Sequence, residues 1–266
     1  MQIIIISMFL VLPMIVIAIA GILFWAISKE AFASRGKLQR RPATVSRLPL
    51  LRGGALRAWA ADWSKSLVKK HAGGAWTRET AAAVGREVEA QASFVIDRVL
   101  PPVAARHSIC LDYGAKGVRV TVPEALAIAD ELHARLPAAD VRRIMRRAHD
   151  NEVAADQEAN KCPAGLCPLL GDDGHCLAFG TRPLQCRGRC GLPCDRSTGP
   201  AATSAAEFSA TVSDAMQQGL ATALTAAGFD GHRYELNQAL AAVLDEPETV
   251  DRWTRGEALL MEPAGR

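Results

Sequence analysis

Six cysteines fall within one short stretch of the chain, at 162, 167, 176, 186, 190 and 194. The stretch reads KCPAGLCPLLGDDGHCLAFGTRPLQCRGRCGLPC over 161–194. Glycine and proline are dense in it, which predicts loops and turns rather than regular elements. A loop of this length inside a compact domain needs something to hold it. A metal bound by several thiolates does so, because its binding energy serves as folding energy. Buried cysteine often does no more than pack, but six in a Gly/Pro-rich loop are poorly explained by packing. The expected ligands are therefore Cys162, Cys167, Cys176, Cys186, Cys190 and Cys194, holding zinc or iron, including an iron–sulfur cluster. Cys110 stands alone and reads as a packing residue. His175, in a turn beside Cys176, reads as an exposed side chain.

The spacings narrow the chemistry without fixing it. They are not the paired C-x2-C of a zinc ribbon. They are wider than a ferredoxin run, and no C-x-x-C-H haem attachment occurs. What remains is a set of soft ligands suited to a soft metal. No P-loop, dinucleotide fingerprint, nucleophile elbow or H-E-x-x-H helix is present, so no catalytic residue is assigned. The favoured function is a metal-binding protein without catalysis of its own. The alternatives are a metal-dependent enzyme, such as a protein-modifying transferase or a redox enzyme, and a thiol redox sensor.

Thiolates as ligands presuppose a reducing compartment, and the start of the chain speaks to that. No charged residue occurs over 3–27, and nearly every position there is apolar. A helix of that length spans a bilayer. A cleaved signal peptide would carry a basic leader and a shorter apolar run. Lys29, Arg35, Lys37, Arg40, Arg41, Arg47, Arg52 and Arg57 follow, opposed by Glu30 alone. The positive-inside rule places that flank in the cytoplasm and the N-terminus outside. The lipid bilayer is then a partner through the first helix, and residues 29–57 can lie against anionic lipid. A formal net charge of +3 is too small to argue for nucleic acid.

Alanine is abundant and aromatic residues make up only 5% of the chain, so helices should dominate. The fold class expected is mainly α: a transmembrane helix, then a small helical domain with an irregular cysteine-rich loop segment. The divisions are 1–28 for the anchor, 29–74 for a basic linker and amphipathic helix, 75–257 for the cysteine-cluster domain and 258–266 for the tail. The amphipathic helix, from Ala55 to about Lys70, has Leu56, Trp59, Trp63 and Leu67 on one face. That face suits either a membrane interface or the soluble domain. Further helices are predicted from Trp76 to Leu100 with Thr77 as cap, from a Thr121/Glu124 capping box to Leu136, and from Ala138 to about Asn160. Three more follow, from Ala205 to Ala227, Tyr234 to Leu244 and Glu248 to Arg255. An extended stretch is predicted over 117–122. Arg142, Arg143, Arg146 and Arg147 cluster on one helix face, read as solvated with some ion pairing.

CPLL over 167–170, GHCLAF over 174–179 and RPLQCR over 182–187 together resemble the YkgJ-type cysteine-cluster family, described as a zinc- or iron-chelating domain. VRVTVPE over 118–124 resembles the V-x-V-T-x-x-E element of that family, and YELNQ over 234–238 is similar to the closing part of some members. The resemblance covers roughly 109–257. It implies that Cys167, Cys176 and Cys186 are metal ligands. The family usually opens with a C-x2-C-x2-CC cluster, of which only Cys110 remains here. Cys162, Cys190 and Cys194 are then the candidates to replace the missing thiolates.

Overall fold

Leu56, Ala60, Ser64, Leu67 and Val68 recur at helical spacing and are all buried, which makes one face of the first described helix, α1 (Gly54–His71). The structure is a computed structural model, in which residues 54–99, 117–157, 167–189, 200–245 and 247–260 are described. α1 packs on the long helix α6 (Pro200–Ala226). The two backbones approach so closely that a Cβ on Gly219 would stand 2.8 Å from the Ala60 carbonyl oxygen. Of the two surfaces open to this helix, it is the domain that takes the stripe, with Trp59 and Trp63 left half-buried at its margin. The packed unit accordingly begins at Leu51 and runs to Arg266, ahead of the boundary at 75 expected from the sequence.

Helix α2 (Arg78–Val99) buries Val84, Val88, Ala92 and Val95. Thr77 caps it, its hydroxyl accepting from the Thr80 N–H at 3.3 Å. α2 crosses α3 (Val122–Arg135) at Gly85. A Cβ there would meet the Pro123 carbonyl oxygen at 2.0 Å, so only glycine admits this crossing. α4 (Ala138–Gln157) follows and packs on α7 (Leu236–Asp245).

The valines of 118–122 alternate as expected: Val118, Val120 and Val122 are buried and Arg119 is exposed. Only Arg119–Val120 forms a strand, β1, which pairs antiparallel with β2 (Tyr234–Glu235) in the register Arg119↔Glu235 and Val120↔Tyr234. The helix expected from Tyr234 therefore starts two residues later. Glu235 causes the delay, since its Oε2 accepts from the N–H of Asn237 at 2.7 Å and of Gln238 at 3.2 Å and so caps α7 from outside.

α6 ends at Gly228, which takes φ +89°. The Phe229 N–H then closes back on the Leu224 carbonyl at 3.0 Å. That turn delivers Phe229 to Trp76 and Trp253, with ring centroids 4.5 and 5.4 Å away. Trp253 lies on the last helix, α8 (Pro247–Thr254), and is fully buried. The chain is mainly helical, as expected. Among the described residues no helix is long and apolar enough to cross a membrane, and the span expected at 3–27 lies outside the described residues.

Candidate metal centre

The stretch from Cys167 onward is narrow and hydrogen-bonded. The Leu170 N–H donates to the Cys167 carbonyl at 3.0 Å, Leu177 to Leu169 at 2.8 Å and Gly171 to His175 at 2.8 Å. Leu170 and Cys176 are bridge partners in this small antiparallel turn. Its tip is the GDDG sequence, where Gly174 takes φ +76° and the Asp173 carboxylate accepts from the His175 N–H at 3.0 Å. Cys167 is buried at the foot of the turn, Cys176 is half-buried across from Leu170, and His175 is exposed as expected.

A single 3₁₀ turn (Phe179–Thr181) leads to Arg182, which is extended at φ −56° and ψ 147°, as a residue before proline tends to be. Helix α5 (Leu184–Arg189) begins immediately after Pro183 and carries Cys186. Here the structure departs from the expectation of loops throughout. The proline pre-sets the helical φ of a first turn, the Arg187 N–H closes on the Pro183 carbonyl at 3.0 Å, and the opening N–H of Leu184 finds a carboxylate partner in Glu124 at 3.0 Å.

Each of these cysteine-bearing pieces is clamped to the helices around it. Arg147 of α4 donates to the Leu170 carbonyl at 2.8 Å, and Arg143 reaches Asp172 at 3.7 Å and Asp140 at 3.2 Å. The arginine face of α4 is thus divided: Arg142 and Arg146 are exposed, while Arg143 and Arg147 hold the turn. Thr181 donates to Glu131 at 2.6 Å. Arg187 pairs with Glu89 of α2 at 2.8 Å, and both side chains are largely buried. Gln185 accepts from the Arg119 N–H at 2.8 Å, which ties α5 to β1.

Glu124 joins these parts. Its Oε2 accepts from the Thr121 N–H and hydroxyl, both at 2.9 Å, which is the glutamate half of the expected capping box. Its Oε1 takes Leu184 of α5, and Gln217 of α6 donates to both oxygens. Burial pushes the carboxyl above its ordinary value, against the pull of these donors. The V-x-V-T-x-x-E and R-P-x-x-C-R elements, far apart in sequence, therefore meet through one carboxylate.

Arg182 is 6% exposed, and its Nε has no hydrogen-bond partner. Its guanidinium lies over the Phe179 ring, 4.4 Å from the centroid. A buried cation beside the cysteine segment with an unfilled donor is the kind of surrounding that an anionic metal–thiolate centre fits. The thiolate donor set itself suits zinc or iron.

Of the six expected ligands, Cys167, Cys176 and Cys186 are among the described residues, whereas Cys162, Cys190 and Cys194, like Cys110, lie outside them. Among the described residues no group of three or more His, Cys, Asp or Glu is gathered to hold a metal. Sequence reasoning missed the clamps Arg147 and Gln217 and the buried Arg182. Only Glu124 was signalled, through its capping spacing, and then for one of its three attachments. Compared with protein-family models, with curated proteins and with solved structures, the chain finds no match.

Proposed function

We propose that the chain is a membrane-anchored metal-binding protein of the YkgJ-type cysteine-cluster kind. Its centre is built by thiolates of Cys162, Cys167, Cys176, Cys186, Cys190 and Cys194 around zinc or iron. The observation that carries this reading is the separate clamping of three cysteine-bearing pieces. Cys167 and Cys176 sit on a turn fastened by Arg147, and Cys186 sits on a helix fastened by Glu124. Packing cysteines need no such preorganisation, whereas ligands held on ordered backbone lose less entropy when a metal binds. The described thiols do not make a sufficient group by themselves. Cys162 lies five positions before Cys167, and Cys190 directly follows α5, so both are near enough in the chain to complete it.

The uncharged stretch 3–27 and its basic flank support an anchor with the domain on the cytoplasmic side, where thiolates stay reduced. Metal analysis and the ultraviolet–visible spectrum of the full chain, purified in detergent without oxygen, test the reading. Stoichiometric zinc, or iron with a thiolate-to-iron absorption, is the expected result. A folded chain with neither metal would end the proposal. Serine at Cys167, Cys176 or Cys186 should each reduce the bound metal.

A further inference from the structure

Arg182 is a charged side chain buried without a charged partner among the described residues. Its nearest acidic neighbours in the fold are spoken for. Glu131 binds Thr181 and Arg135 at 2.6 Å each, Asp172 faces Arg143, and Asp173 closes its own turn. The contact with Phe179 recovers only a small part of what it costs to strip water from a guanidinium. The Nε, buried and without an acceptor, adds a further unmet demand. Glu124 and Arg187 show that this region otherwise satisfies its buried charges fully.

We propose, building on the metal-centre reading above, that Arg182 is the counter-charge of the thiolate centre. A divalent ion held by four thiolates keeps a net negative charge, and a poorly solvated site cannot carry it uncompensated. Arg182 stands between the two cysteine-bearing pieces in the chain, six residues after Cys176 and four before Cys186. The Arg182-Pro183 pair also fixes it at the hinge between the 3₁₀ turn and α5. Its charge is permanent at any working pH, so it would stabilise the loaded centre without titrating itself.

The test compares the full chain with R182M, which removes the charge at similar volume, and R182K, which retains it. Zinc affinity is read by competition with a chromophoric chelator, and thermal unfolding is read with and without zinc. R182M should bind zinc about tenfold to a hundredfold more weakly, R182K should recover part of that loss, and the metal-free R182M should be at least as stable as the metal-free wild type. Wild-type affinity in R182M overturns the assignment, as does a metal-free R182M less stable than its wild type, since either makes Arg182 a packing residue. A wild-type chain that binds neither zinc nor iron overturns this assignment and the metal-centre reading together.

Discussion

The side-chain amide of Gln217 spans the carboxylate of Glu124, its Nε2 standing 3.2 Å from Oε1 and 3.0 Å from Oε2, while the same nitrogen donates to the Arg119 carbonyl at 2.7 Å. One amide thereby holds α6, α3 and β1 in a single arrangement. Replacing it by methionine leaves a buried carboxylate short of a donor and a buried carbonyl without one. Q217M should cost about 2–4 kcal/mol in urea unfolding.

The pH response of the same site has a definite sign. Burial raises the Glu124 carboxyl above 4.5, and burial also raises Glu235. The folded chain then keeps protons that the unfolded chain releases, so stability falls as pH rises from about 4.5 through the raised values. In E124Q this part of the slope should flatten, and a series of unfolding midpoints across that range reads it directly.

Tyr234 gives a second pH prediction at the other end of the scale. Its hydroxyl donates to Asp230, and burial first, then that carboxylate, push it to about 12. Its contribution is intact below pH 10 and is lost as pH rises from there through about 12. Y234F should remove that alkaline loss while leaving the Asp230 bonds to the His232 and Leu259 N–H groups in place.

Gly85 is a steric prediction. The carbonyl of Pro123 lies where a side chain would go, and backbone cannot swing aside as a flexible side chain can. G85A should destabilise by about 3 kcal/mol by forcing α2 off α3. G54A, at an exposed position with open space around it, should change stability by less than about 0.5 kcal/mol.

Arg147 and Arg146 make a matched pair on one helix. R147A removes the donor to Leu170 and should loosen the turn bearing Cys167 and Cys176, seen as faster amide exchange at Leu169–Leu177 and a loss of about 1.5–3 kcal/mol. R146A, exposed, should change neither.

Local codes in the sequence were read well. The Val84/Val88/Ala92/Val95 stripe, Thr77 as a cap, the Thr121/Glu124 spacing and the Gly228 stop each depend on residues within a few positions, and each is where it was expected. α6 begins at Pro200 instead of Ala205 because proline suits a first helical turn. Long-range pairings were not legible. Periodicity shows which face of α1 is apolar but not that Gly219 receives it. A capping box predicts one attachment for Glu124 but not Leu184 or Gln217, which are distant in the chain. The RPLQCR stretch looked like a loop because its glycine and proline neighbours dominate the composition, while the carboxylate that starts its helix comes from another element.

The two-residue ladder between Val120 and Tyr234 has a consequence for the order of assembly. All six clustered cysteines lie in the chain between its two strands. On a ribosome, every one of them is made before the closing strand exists, and the ladder forms only after a long loop has been drawn shut at an entropic cost that grows with loop length. Any ligand that orders the intervening segment shortens the effective loop and so favours the pairing at its ends. Loss of the strand at Tyr234–Glu235 by truncation would, by the same coupling, weaken whatever that segment binds.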